Sequence, residues 1–119
     1  AEGIAENLLV FLPLDLGSLV SVKSSIKEIH EKEKKIDFLV LNAGIMACPF
    51  GKTDEGFEKQ IGINHIGHYA FATRLLDLVE KGDKSRVIVL SSVAHCRNDG
   101  KPLVVTDLNW EKRSYSTWD

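Results

Sequence analysis

Phe38-Leu39-Val40-Leu41-Asn42-Ala43-Gly44 is the stretch on which the fold turns. Four apolar residues run without polar alternation and then break sharply at an amide, a methyl and a glycine. An uninterrupted apolar run suits a strand buried on both faces, the habit of parallel sheets. Two other runs share the design. Leu8-Leu9-Val10-Phe11-Leu12 is stopped by Pro13, and Val87-Ile88-Val89-Leu90 passes into Ser91-Ser92. For the run at Leu8 a buried helical turn is the competing assignment.

The intervals carry a different period. From Ser18 to about Lys34, Leu19, Val22, Ile26 and Ile29 recur at helical spacing, with Lys23, Lys27, Glu28 and Glu31 on the other faces. Residues 45–52, with Pro49 and Gly51, read as loop. Thr53 is then expected to cap a helix, and Asp54 and Glu55 to favour the positive end of its dipole. Its stripe is Phe57, Ile61, Asn64, His68, Phe71, Leu75 and Leu78, running towards Gly82. Beyond Val93 the chain is polar, with a turn expected at Asn98-Asp99-Gly100 and a short helical or irregular piece at Asp107-Leu108-Asn109-Trp110. Strand, helix, strand, helix, strand predicts an α/β fold, a parallel sheet covered by helices, in one domain over residues 1–119.

Composition narrows the function. A chain of 119 residues holds one core and not two. Its 44% hydrophobic and 27% charged residues are ordinary for a globular protein. A net charge of −2 offers no electrostatic case for nucleic acid or an anionic membrane. No apolar run approaches the roughly 20 residues that span a bilayer. The N-terminus shows no signal-peptide pattern, and the absent initiator methionine suits a processed chain or a fragment equally. Cys48 and Cys96 are too few and too far apart for a disulfide framework, so reduced thiols in an intracellular setting are expected.

In open parallel sheets, ligands bind outside the carboxyl ends of the strands. Here those ends carry Asp15, Asn42-Ala43-Gly44 and Ser91-Ser92, which would fall on one rim. Each cluster alone has a structural explanation, as a helix cap, an Asx turn or a strand-end partner. All three together favour a ligand rim. Asn64 adds a fourth signal: an amide on an apolar stripe, flanked by Gly62 and Gly67, expected to be buried at a helix distortion or a close approach. A core amide satisfied beside His65 or His68 is the plainer alternative.

With Asp15-Leu16, Leu41-Asn42-Ala43-Gly44, Asn64-His65-Ile66-Gly67-His68 and Leu90-Ser91-Ser92-Val93-Ala94-His95 at these spacings, the chain resembles the short-chain dehydrogenase/reductase family. It is most similar to the retinol-dehydrogenase-like and WW-domain-containing-oxidoreductase-like branch, over essentially its whole length. The resemblance implies an internal fragment of a doubly wound Rossmann fold, with the first two strands and the last strands missing. It implies an NAD(P)-dependent oxidoreductase interconverting an apolar alcohol and a carbonyl by hydride transfer, with NADP preferred over NAD. Asp15 and Leu16 would line the adenine pocket, and Asn42, Ala43 and Gly44 would pack beside the cofactor. Ser92, with Ser91 as fallback, would hydrogen-bond the reacting oxygen, and Asn64 would hold a water in the proton relay. It implies a cytoplasmic or membrane-associated protein, the latter through a segment not among these residues, and leaves oligomeric state open.

The sequence departs from that pattern in two places. None of its nine glycines forms the family's phosphate loop, Thr-Gly-x-x-x-Gly-x-Gly, and there is no Tyr-x-x-x-Lys pair. Tyr69 is followed four residues on by Thr73 and Tyr115 by Asp119, so Tyr115 reads as a surface aromatic. The isolated chain is therefore expected to be inactive and, with a gap in its sheet, unstable alone. Three other readings compete. A nucleotide-hydrolase loop at Gly51-Lys52-Thr53 fails because Met46 holds the position that needs glycine. A metal site at His65, His68, His95 and Cys96 lacks evident convergence, and no metal is expected. A non-catalytic interaction module or truncated product retaining the fold is the main alternative.

Overall fold

In a computed structural model, residues 8–96 and 102–117 are described; the turn expected at Asn98-Asp99-Gly100 lies outside them. The elements are α1 (Leu19–Lys32), β1 (Phe38–Leu41), α2 (Lys59–Ile61), a π-helical segment (Gly62–Gly67), α3 (His68–Thr73), α4 (Leu76–Val79), β2 (Arg86–Val89) and two 3₁₀ turns (Val93–Cys96 and Val105–Asp107). β1 and β2 pair in parallel, Phe38 against Arg86 through Leu41 against Val89. The bond from Leu90 N–H to Leu41 O, 3.0 Å, carries the ladder to the strand ends.

The helix at α1 forms where the period places it. Val22 and Ile26 are buried, and Ile29 packs against the same core. That core also takes Leu16, Leu39, Leu41, Phe71, Leu75, Leu78 and Val79. Leu75 has no exposed surface at all. β1 therefore points Leu39 and Leu41 at the helices, while Phe38 and Val40 stay 66% and 57% exposed on the other side. The expectation of strands buried on both faces is corrected here: helices cover one face among the described residues. The reason is geometric. Successive side chains on a strand point oppositely, and only one layer packs against these strands.

The run at Leu8 is a second correction. From Leu9 to Leu14 it has no regular structure and pairs with no strand among the described residues. A strand needs a neighbour for its backbone groups, and neither β1 nor β2 reaches it. Its far end is nevertheless pinned to α1, where buried Ser25 donates its hydroxyl to Pro13 O at 2.6 Å.

The long helix differs most. Thr53 does not cap it. Gly56 adopts φ +88°, Lys52 and Glu58 form an antiparallel bridge, and Thr53 N–H donates to Phe57 O at 2.8 Å, so 52–58 is a closed turn. The cap is Glu58, whose buried carboxylate accepts from Gln60 N–H and Ile61 N–H at 2.9 and 3.0 Å. Glu55 serves another helix: its carboxylate accepts from Leu19 N–H at 2.6 Å, at the positive end of α1. Between the two glycines the turns widen to π geometry. His68 Nδ1 lies 3.0 and 3.1 Å from the carbonyls of Ile63 and Asn64. Both are acceptors, so Nδ1 carries the proton. The stripe breaks again at Arg74 and Leu75 before α4.

Candidate active-site rim

The parallel register, Leu41 against Val89 with Leu90 N–H bonded to Leu41 O, sets Asn42 beside Leu90, so that Asn42-Ala43-Gly44 and Ser91-Ser92 leave the sheet at the same edge. Asn42, Ala43, Gly44, Ser91 and Ser92 are all exposed, so the rim is an open shelf. The Ser92 hydroxyl accepts the Ala94 N–H at 3.1 Å. That bond orients the oxygen and leaves its proton to donate; no acceptor among the described residues takes it.

Asn64 is the hinge of the arrangement. Its amide oxygen accepts from Ile45 N–H at 2.9 Å, and its Nδ2 donates to Ile45 O at 2.8 Å. Both arms therefore grip the residue after Gly44. Contrary to expectation Asn64 is exposed, because the widened helical turn carries it off the core stripe towards this loop. A Cβ on Gly44 would stand 3.3 Å from Asn64 Oδ1, which explains the small residue there.

The other flank is Asp15-Leu16-Gly17. Gly67 lies so close that a Cβ on it would come within 2.3 Å of Leu16 O. Only glycine lets the π-helical segment seat on this backbone. Leu16 itself is in the core, so it can offer a ligand the placement of Asp15 rather than its own side chain. Asp15 is exposed; one carboxylate oxygen accepts from Gly17 N–H at 2.8 Å, the Asx-turn role, and its N–H donates to Ser21 Oγ at 2.9 Å. The structure thus brings Asp15-Leu16-Gly17, Gly44-Ile45 and the π-helical segment into one contact set, with Ser91-Ser92 one strand away.

Sequence reasoning missed the segment 107–117. Tyr115, read as a surface aromatic, is half-buried between Phe50 and Trp110, each 5.2 Å away edge to face. Its hydroxyl accepts from Gln60 Nε2 at 2.8 Å and faces Cys48 O and Glu58 Oε1 at 3.1 and 3.3 Å. Burial, with the Glu58 carboxylate adding to it, holds the phenol above its usual range against the opposing Gln60 bond. A proton donor is tuned towards working pH, and this phenol is tuned away from it. Arg113 stacks 3.6 Å over the Trp110 ring, and its Nε lies 3.4 Å from buried Asp107. Glu58 N–H donates to Asn109 Oδ1 at 2.9 Å. The available signal was the pair of aromatics Trp110 and Tyr115 flanking Arg113, which period counting ignores.

The histidines do not converge. His68 is buried on its own helix, His65 stacks on Tyr69 6.4 Å away, and His95 lies beside Cys96 on the exposed turn after Ser92. Among the described residues no three potential ligands form a metal cluster. Lys52, from the glycine-lysine pair, is bonded to Glu111 at 3.2 Å. No helix among the described residues is long and apolar enough to cross a membrane.

Comparisons with known proteins agree with one another. The family described as short chain dehydrogenase matches residues 2–102. Human retinol dehydrogenase 13 is 43% identical over 104 residues, 87% of this chain and 30% of that protein. Human retinol dehydrogenase 14 is 40% identical over 111 residues, 93% of this chain and 32% of that one. A crystal structure of an uncharacterised Mycobacterium paratuberculosis protein superposes with TM-score 0.72 at 40% identity, covering 88% of this chain and 35% of the other. The chain spans about a third of the length of the relatives it matches.

Proposed function

Since the chain belongs to the short-chain dehydrogenase family of oxidoreductases, with a Rossmann-like α/β fold, we propose that its rim is part of an NAD(P)-dependent active site. The reaction is interconversion of an apolar alcohol and a carbonyl. The observation that carries this is the shared rim of Gly44, held by Asn64, and Ser92, with its hydroxyl oriented by Ala94 N–H. The names of the retinol dehydrogenases suggest a retinoid as substrate.

The residues fit a dinucleotide in part. Exposed Asp15 suits a hydroxyl-bearing adenosine end, and the open backbone at Ala43-Gly44 admits a flat ring. The phosphate-binding glycine pattern is absent from these 119 residues. The nicotinamide ring, when bound, supplies or accepts the hydride. Ser92 keeps its proton and donates a hydrogen bond to the substrate oxygen, where negative charge grows during reduction. Asn64 sets the height of the Gly44-Ile45 backbone, and its remaining N–H and lone pair can hold a water leading to solvent. Family resemblance favours NADP as the dinucleotide, with NAD the alternative. Without a phosphate loop or a Tyr-x-x-x-Lys pair, residues 1–119 alone form one partial domain and do not turn over.

Assay of the natural full chain that carries these residues tests this, using NADPH with retinaldehyde and NADP with retinol. Ser92→Ala is expected to lower kcat about 10²–10³-fold with little change in dinucleotide affinity. Full activity in that variant would remove Ser92 from the mechanism. A second reading, an interaction module keeping the fold, is favoured by the bare apolar face of Phe38, Val40 and Ile88. An inactive full chain that still folds would select it.

A further inference from the structure

The loop 45–48, next along the chain from Asn42-Ala43-Gly44, forms one wall of the rim. Its backbone is held from outside. Ala47 adopts φ +51°, a left-handed conformation that costs an alanine about 1 kcal/mol or more and persists only when neighbours enforce it. Four backbone groups of the loop receive side-chain partners. Asn64 takes Ile45 N–H and Ile45 O. Gln60 Oε1 accepts Ala47 N–H at 3.1 Å, and Cys48 O faces the Tyr115 hydroxyl. Gln60 and Asn64 are four apart on the same helical rod, so one rigid element holds both ends of the wall.

Gln60 has a second bond. Its Nε2 donates to the Tyr115 hydroxyl at 2.8 Å, which fixes the amide orientation so that Oε1 is left for Ala47. The Tyr115 hydroxyl has one proton, shared between Cys48 O and Glu58 Oε1. Glu58 caps the rod that carries Gln60, and Asn109 accepts its N–H. The segment 107–117 is thereby stitched to the wall at one end and to the helix start at the other.

We infer that Gln60 is a positioning residue for the wall at Ile45–Cys48, and that Tyr115 locks it, so docking of segment 107–117 sets the shape of the dinucleotide side of the rim. The inference rests on the oxidoreductase reading above. Neither residue touches the reacting atoms. Both act through the strained backbone at Ala47, which relaxes when its N–H loses its acceptor.

The test uses the natural full chain and two variants, Gln60→Met and Tyr115→Phe. NADPH affinity is read by nicotinamide fluorescence, kcat with retinaldehyde, and exchange of the Ala47 and Ile45 amide protons by NMR. Both variants are expected to weaken NADPH three- to tenfold while kcat at saturation stays within twofold. Ala47 N–H should exchange at least tenfold faster. A merely structural role gives the opposite split: a smaller active fraction, hence lower kcat at unchanged NADPH affinity. That result, or wild-type affinity and wild-type Ala47 exchange in both variants, overturns the inference. An unmutated chain that binds neither NADPH nor NADH overturns the oxidoreductase reading, and this role with it.

Discussion

β1 has two sides that the sequence treats alike and the structure treats differently. Leu39 and Leu41, 7% exposed, sit under α1 and α3, whereas Phe38 and Val40 on the same four-residue strand stand open. Ile88 of β2, the register partner of Val40, continues the open side at 47%. Apolar residues on both faces are what a sheet between two helical layers requires, and among the described residues one layer is present. The covered face is where packing energy resides. The open face is a surface that a second layer would bury.

This difference can be attacked in order of expected effect, starting on the covered side in the natural full chain. Leu75→Ala removes a side chain with no exposure and should cost about 3 kcal/mol in denaturant unfolding. A loss under about 1 kcal/mol would mean that the core collapses around the hole. Gly67→Ala forces a methyl against Leu16 O and should cost about 2–3 kcal/mol. Equal stability would show that the close approach relaxes without cost. Asn64→Ala leaves Ile45 N–H and O without protein partners, and about 1–2 kcal/mol should be lost, since this rim is open to water.

A smaller effect ties α1 to α4. His30 Nδ1 lies 2.9 Å from Ile26 O and Nε2 3.1 Å from Asp77 Oδ1, so both nitrogens face acceptors and the ring is best satisfied when protonated. The Ile26 carbonyl and then Asp77 raise the His30 pKa above its usual 6.5. The bond from His30 lowers that of Asp77, and Lys81 adds to it. With the folded value raised, the His30 contribution is complete below about pH 6.5 and disappears as pH climbs through the folded pKa. Asp77, depressed, contributes above its usual 3.8 and loses that as pH falls through its lower folded value. Thermal melts between pH 5.5 and 8.5 should show wild-type Tm falling relative to Asp77→Asn, and parallel profiles would dispose of the coupling. On the open face the prediction is near zero for packing. Val40→Ser in the 119-residue chain should reduce light scattering without loss of helical circular dichroism, whereas Leu39→Ser should raise scattering.

What could be read ahead of the structure follows the range of the interaction. α1 and both strands were readable because Val22, Ile26 and Ile29, and the runs at Phe38 and Val87, carry their period locally. The distortion between Gly62 and Gly67 was also signalled by composition. The start of the long helix was not: Thr53-Asp54-Glu55 has cap chemistry, but Gly56 closes a turn and Glu55 caps α1 from 36 residues away. Leu8–Leu12 has strand composition, yet strands exist only in pairs. Asn64 stood out as an amide, while its partner Ile45 is 19 residues distant and no spacing rule points to it. Tyr115 was misjudged for the same reason, its hydrogen-bond partners being 55 or more residues back.

Amide chemical shifts of the natural full chain, followed as NADP is added, test the central claim most directly. The largest changes are expected at Asp15, Ala43 and Gly44, with α1 residues Lys23–Lys27 unmoved. Tight binding that leaves Ala43 and Gly44 undisturbed would place the dinucleotide elsewhere and contradict it.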